Sequence, residues 1–110
     1  LIRTAQQRFT EARGLAEKSL SINPNLASAK RTLARILLST DKKPQPVIDL
    51  LNGIPDKEKT VLDYDLLGWA YYANGQVQES LNALRTAIGI EPNNPIYRER
   101  YEKLQKKLNP

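Results

Sequence analysis

The side chains of this sequence that could do chemistry are suited to binding rather than to catalysis. Its 110 residues contain no histidine and no cysteine, which excludes Ser-His and Cys-His nucleophiles and leaves only carboxylates as zinc ligands. The sequence has no Gly-rich phosphate loop, and no carboxylates pair on one expected helix face. Large aromatic and cationic side chains remain, notably Trp69, Tyr72, Arg31 and Arg35. Because tryptophan and arginine are enriched in binding hot spots, we expect a binding protein that is not an enzyme and uses no cofactor and no metal.

Residues 61–94 carry two of these side chains on what the spacing predicts to be a pair of helices. Gly75 lies between the helices, where a residue with positive φ ends a helix without a Cβ clash. Pro92 ends the second helix, because the residue before a proline is pushed out of the helical region. The apolar stripe of the first helix recurs at helical spacing and consists of Tyr64, Leu67, Gly68 and Tyr71. The stripe of the second helix consists of Val77, Ser80, Leu81, Leu84, Ala87 and Ile88.

This segment resembles a tetratricopeptide repeat. With Val61 as position 1, accepted residue types occupy positions 4, 7, 8, 11, 15, 20, 24, 27 and 32 of the family signature, which are Tyr64, Leu67, Gly68, Tyr71, Gly75, Ser80, Leu84, Ala87 and Pro92. The small residues Gly68 and Ser80 allow the two helices to approach closely. The resemblance implies an all-α fold of about six helices, in which helix-turn-helix repeats stack into a short right-handed superhelix without strands. It also implies a protein-protein interaction scaffold.

The remainder of the chain fits the same period. Pro24 and Pro92 are 68 residues apart, which is two periods of 34. Residues 1–26 are therefore interpreted as the second half of a truncated repeat, with one helix from about Ile2 to Ile22. Because the sequence begins part-way through a repeat, we expect it to be a piece of a longer protein.

Residues 27–60 are interpreted as a divergent repeat and residues 95–110 as a C-terminal capping helix, with residues 1–110 forming a single domain. In the divergent repeat, Lys30 replaces a large apolar residue, which should weaken packing, and the turn Thr40–Lys43 holds one extra residue. Pro44 suits the first turn of a short apolar helix, which Pro55 ends. Thr60 and Asp63 have the spacing of a capping box. Asn94 is a residue type that suits the N-cap of the last helix.

In arrays of this family the first helix of each repeat lines a concave, partner-binding face. At about 100° per residue, positions 2, 5, 9 and 12 of that helix point away from the core. These positions hold Leu62, Asp65, Trp69 and Tyr72 in the complete repeat, Ser28, Arg31, Arg35 and Leu38 in the divergent one, and Ile96, Glu99, Lys103 and Lys106 in the last helix. We predict that a peptide or partner protein binds at Arg31, Arg35, Leu62, Asp65, Trp69, Tyr72 and Lys103. We further expect Trp69, Tyr72, Arg31 and Arg35 to form one patch for an acidic or C-terminal peptide with an apolar anchor.

Several alternatives remain open at this stage. Trp69 could pack between neighbouring repeats, and Arg31 and Arg35 could be ordinary solvated cations. The carboxylate clamp of some relatives is not expected, because Leu66 stands where that clamp uses asparagine. The net charge of +5 would suit an RNA-binding helical repeat or another acidic partner, but Asp65 and Glu99 on the same face argue against nucleic acid.

Two further expectations concern association. The exposed terminal helices could mediate self-association. No apolar run approaches the ~18 residues of a membrane span, so we expect no membrane insertion. The sequence gives no indication of the compartment.

Overall fold

Six α-helices make up the protein in this computed structural model, which describes residues 4–40 and 43–108. They are α1 (Ala5–Ile22), α2 (Ala27–Thr40), α3 (Pro44–Asn52), α4 (Val61–Ala73), α5 (Val77–Ile90) and α6 (Pro95–Leu108). A 3₁₀ turn, Asp56–Glu58, precedes α4, and the described residues include no strand. The predicted all-α fold of about six helices is confirmed. None of the helices in the described ranges is long and apolar enough to cross a membrane.

The helices divide into two compact units, Leu1–Glu58 and Lys59–Pro110. The first unit contains α1, α2 and α3, and the second contains α4, α5 and α6. The division falls within the polar segment that precedes Thr60, close to the predicted boundary between the divergent and the complete repeat. The assignment of residues 1–110 to a single domain stays a prediction.

Helix α1 begins at Ala5, later than the sequence suggested. The Thr4 hydroxyl accepts a hydrogen bond from the Gln7 N–H, and the Gln7 side chain accepts one from the Thr4 N–H. This capping box holds Thr4 in an extended conformation, so that the helix cannot continue through it. The predicted start at Ile2 lies outside the described residues, whereas the predicted end at Ile22 is confirmed.

The first unit places its core between α2 and α3. Its buried side chains include Leu33, Ala34, Leu37, Val47, Leu51 and Ile54. Pro44 occupies the first turn of α3 as predicted, but α3 ends at Asn52, and Ile54 is buried beyond it, outside the helix. Lys30 compensates for the missing apolar side chain, since its Nζ donates to the Gly53 carbonyl oxygen at 3.0 Å. The predicted extra residue of the turn concerns residues 41–42, which lie outside the described ranges.

The second unit contains the closest helix crossing. Ser80 is buried, and its Oγ donates to the Gly68 carbonyl oxygen at 2.6 Å, which confirms that these two small residues face each other across α4 and α5. The capping box of Thr60 and Asp63 is present at the start of α4. Gly75 has a φ of 78° between the two helices, which is the left-handed conformation that glycine adopts without strain.

Helix α6 packs on the second helix of the repeat. Asn94 Oδ1 accepts from the Ile96 N–H at 3.1 Å, and so Asn94 caps α6 as predicted. Leu104 of α6 joins Leu81 and Leu84 of α5 in one apolar cluster, against which Tyr101 also packs. This packing fixes the rotation of α6, and thereby decides which of its side chains face α4.

Candidate partner-binding groove

A cavity of about 160 Å³ lies within the second unit and opens between α4 and α6. We call it the α4/α6 groove. Residues of α4 and α6 form its two sides, and Ser80 and Leu84 of α5 lie at its base. The described residues that line it are Asp65, Gly68, Trp69, Tyr72, Ser80, Leu84, Arg100, Lys103, Leu104 and Lys107.

The two helices contribute different positions of the repeat to this groove. The α4 residues lie at positions 5, 8, 9 and 12, whereas the α6 residues lie at positions 6, 9, 10 and 13 when Pro95 is position 1. The shift of one position means that the lining side of α6 is rotated by about 100° relative to that of α4. Glu99 and Lys106, which the sequence reasoning placed on this face, are therefore absent from the lining, and Arg100 and Lys107 are present instead.

The sequence prediction found part of this groove. Asp65, Trp69, Tyr72 and Lys103 line it. Leu62 is exposed at the start of α4 but does not belong to the lining. Trp69 is 49% exposed, so half of the only tryptophan in the chain is accessible to a partner. The ring also lies beside Arg100, between α4 and α6, so that its role as an anchor rather than as filler between the helices stays a prediction.

Arg100 is held in place by two residues of α4. It forms an ion pair with Asp65, and its guanidinium carbon lies 5.2 Å from the centre of the Trp69 ring. The second contact is within the range of a cation-π interaction. The carboxylate and the aromatic ring together fix Arg100 across the groove, and they leave its charge largely neutralised.

The lysines at the other end of the groove have no carboxylate partner within residues 4–40 and 43–108. Lys107 Nζ donates to the Tyr72 hydroxyl at 2.8 Å and lies 4.9 Å from the centre of that ring. Lys103 has no hydrogen-bond or ion-pair partner among the described residues. Among the described residues the lining thus contains three cations and one carboxylate, and its positive excess lies next to Tyr72.

One comparison with known families bears on this unit. Residues 61–94 match the family described as tetratricopeptide repeat. No curated protein matches the chain in sequence. The matched segment comprises α4 and α5, and its contact between Gly68 and Ser80 is the one that the resemblance predicted. Repeats of this family generally mediate protein-protein interactions and are typically not catalytic.

The other two predicted site residues, Arg31 and Arg35, lie in the first unit, outside the matched segment 61–94. Arg31 has its Nη2 3.5 Å from the carbonyl oxygen of Glu58, so that it is directed towards the end of its own unit. Arg35 is exposed on α2. That these arginines form one patch with Trp69 and Tyr72 stays a prediction.

The residues of the groove offer no metal site. Within residues 4–40 and 43–108, no three aspartate or glutamate side chains come together to hold a metal ion. The single carboxylate of the groove already pairs with Arg100. Recognition of a partner is what this arrangement can do chemically.

Tyr97, which follows the matched segment 61–94, has a shifted pKa. Burial raises the pKa of its hydroxyl above the ordinary value of 10.0, and the charges of Asp65 and Glu91 raise it further, while Arg100 lowers it. The neutral phenol is therefore favoured in the folded state. The stability that it contributes is present below pH 10 and is lost as the pH rises through the folded-state pKa.

Tyr97→Phe should remove the ionisation that occurs above pH 10.0. Tyrosinate absorbance measured during an alkaline titration checks this, since the difference between wild type and variant isolates one of the five tyrosines. Wild type should also lose stability more steeply than the variant above that pH, because only the wild type carries the buried phenol. If the ionisation that the variant lacks occurs at or below pH 10.0 in wild type, the pKa of Tyr97 is not raised and the prediction is wrong.

Proposed function

We propose that this protein is a protein-interaction module that binds an acidic peptide segment of a partner protein in the α4/α6 groove. The observation that carries the proposal is the half-exposed Trp69 on the side of a cavity whose charged residues are mainly cationic. Tetratricopeptide repeats generally bind proteins, which supports the broad assignment. The chemistry of the groove supports the acidic peptide.

The size and lining of the groove suit one apolar side chain. Leu84 and Leu104 lie beside Trp69 in the lining, and together they offer an apolar surface with an aromatic ring at its side. Cavities of about 150 Å³ lined by apolar side chains hold a molecule of the size of benzene. A leucine or phenylalanine of a partner would therefore fit the volume of about 160 Å³ and remove Trp69 from water.

The charge of the groove favours carboxylate side chains flanking that anchor. Lys103 and Lys107 lie one turn apart on α6, about 6 Å along its axis. Lysine ammonium groups act as separate point charges on flexible stems, unlike the planar fork of arginine. Two such charges suit the separate carboxylates of neighbouring acidic residues, and they also increase the rate of encounter with an acidic segment.

Trp69→Ala should weaken binding of an acidic peptide far more than it weakens the fold. Loss of a hot-spot tryptophan costs on the order of 2 kcal/mol or more of binding free energy, which is about thirtyfold in Kd. A fully buried tryptophan would instead cost about 3–5 kcal/mol of folding free energy. Calorimetric titration with an acetylated and amidated peptide, in which glutamates surround one leucine, measures the first quantity. Urea unfolding followed by circular dichroism measures the second.

Ile90→Ala provides the matched control for this experiment. Ile90 is also 49% exposed, lies on α5 and does not belong to the lining of the groove. Its truncation should leave the affinity for the peptide unchanged. If Trp69→Ala lowers the stability steeply and leaves the affinity intact, Trp69 belongs to the core and the proposal is wrong.

A nucleic-acid partner is the competing outcome of the same measurements. An oligonucleotide would bind through phosphates, with an affinity that falls steeply with salt. Tighter binding of single-stranded RNA than of the acidic peptide, unaffected by Trp69→Ala, would replace the proposal. A peptide with lysines in place of the glutamates should not bind, because the groove carries a positive excess.

A further inference from the structure

The described lining of the α4/α6 groove contains one carboxylate, that of Asp65, and its position divides the groove into two unlike ends. We infer that Asp65 is a specificity-determining residue, which neutralises Arg100 and thereby confines the binding of carboxylates to the end formed by Tyr72, Lys103 and Lys107. This inference rests on the proposed function, since it names where in the same groove the acidic part of the peptide lies.

The contacts of Arg100 indicate that its charge is neutralised at one end of the groove. Asp65 and Arg100 join α4 to α6 by an ion pair whose side chains are 19% and 36% exposed. Such partial burial reduces screening by salt, so that the pair persists where a fully exposed pair would contribute little. The Trp69 ring occupies a further side of the same guanidinium, at 5.2 Å. A carboxylate arriving from a peptide would have to compete with Asp65 for Arg100.

The contacts of the lysines support the opposite end as the site for carboxylates. Arg100 and Lys107 are separated by seven residues of α6, about 10 Å along the helix. This separation is comparable to the Debye length at physiological ionic strength, about 8 Å, so that Asp65 affects Lys107 much less than Arg100. The neutral hydroxyl of Tyr72 orients Lys107 without removing its charge.

The difference between arginine and lysine explains why the groove needs Asp65. Arginine is the side chain best suited to bind a carboxylate through two parallel hydrogen bonds, and Arg100 is the only arginine of the lining. Without Asp65, the strongest carboxylate site of the groove would lie beside Trp69, where we place the apolar anchor. Asp65 therefore acts by excluding a wrong mode of binding, which is a common route to specificity.

Asp65→Asn tests this inference, and Trp69 fluorescence is the signal that reports binding. Trp69 is the single tryptophan of the chain and lies beside Arg100, so a ligand in the groove changes its emission. The probe is the acetylated and amidated peptide of glutamates around one leucine. We expect Asp65→Asn to tighten its binding about tenfold at low salt, as one further charge-assisted contact would do.

Two further variants show whether the gain comes from Arg100. Glu79→Gln removes one negative charge from an exposed position on α5 outside the groove and should leave the affinity near that of wild type. The double variant Asp65→Asn with Arg100→Gln should return the affinity to near the wild-type value. Circular dichroism of each variant shows that the helices are retained.

A second comparison locates the carboxylates. Lys107→Gln should weaken binding of the peptide strongly in the wild-type background and only slightly in the Asp65→Asn background, because Arg100 then binds the carboxylate of the peptide. If wild type binds the peptide but Asp65→Asn does not increase the affinity, the inference is wrong while the proposed function stands. The same holds if Glu79→Gln increases the affinity equally. If wild type does not bind the acidic peptide at all, the proposed function itself fails.

Discussion

Gly68→Leu should lower the free energy of unfolding of the second unit by up to about 2 kcal/mol, the cost of overpacking less the gain in helix propensity. A Cβ at position 68 would lie 3.3 Å from Leu84 Cγ and 3.4 Å from Leu84 Cδ2, so even the first added carbon is crowded. The rest of a leucine side chain would force α4 and α5 apart, and such overpacking costs about 1–3 kcal/mol or more. Removing a glycine from a helix favours folding by about 1 kcal/mol, which offsets only part of that cost. Urea unfolding measures the net change.

Gly89→Ala is the matched control for this substitution. Gly89 also lies within a helix, α5, but a Cβ there would meet nothing within 4 Å. The alanine should therefore raise stability by up to about 1 kcal/mol through helix propensity alone. The pair of variants separates crowding from propensity. A Gly68→Leu protein more stable than wild type would show that Gly68 does not lie at a close helix crossing.

The helix ends were largely predictable from the sequence, because local residue types determine them. Gly75 and the capping box of Thr60 and Asp63 act through their own backbone and immediate neighbours, so the sequence contains the required information. The start of α1 was missed although Thr4 and Gln7 carry a similar signature. The start at about Ile2 was expected because Gln7 occupies the usual glycine position, which would let one helix run through it, whereas the cap at Thr4 begins α1 at Ala5.

The groove was predictable only in part, because it depends on how two helices face each other. Periodicity indicates which side of a helix avoids the core, and this was enough to find Trp69 and Tyr72 on α4. It does not give the rotation of α6 relative to α4, so Arg100 and Lys107 were missed. One signal was available, since both Asp65 with Arg100 and Tyr72 with Lys107 are 35 residues apart, one more than the repeat period.

Leu51→Ala should have the largest effect on the first unit. The side chain of Leu51 is 0% exposed, and its neighbours in sequence Val47 and Ile54 are equally buried. Truncating a buried leucine removes its transfer free energy and leaves a cavity, at a cost of about 2–5 kcal/mol. Small proteins are stable by only about 0.05–0.15 kcal/mol per residue. The loss is therefore comparable to the whole stability expected of a unit of this size.

Leu15→Ala makes the matched comparison, because it removes the same atoms from α1 where the side chain is 67% exposed. Its effect should stay within about 0.5 kcal/mol, as for most surface substitutions. Amide hydrogen exchange in α2 and α3 measures the stability of this unit directly, since the amides of core helices exchange through large-scale opening. Protection there should fall sharply in Leu51→Ala and remain in Leu15→Ala. Equal protection in the two variants would mean that Leu51 does not support the core between α2 and α3, and that the packing of the first unit has been assigned wrongly.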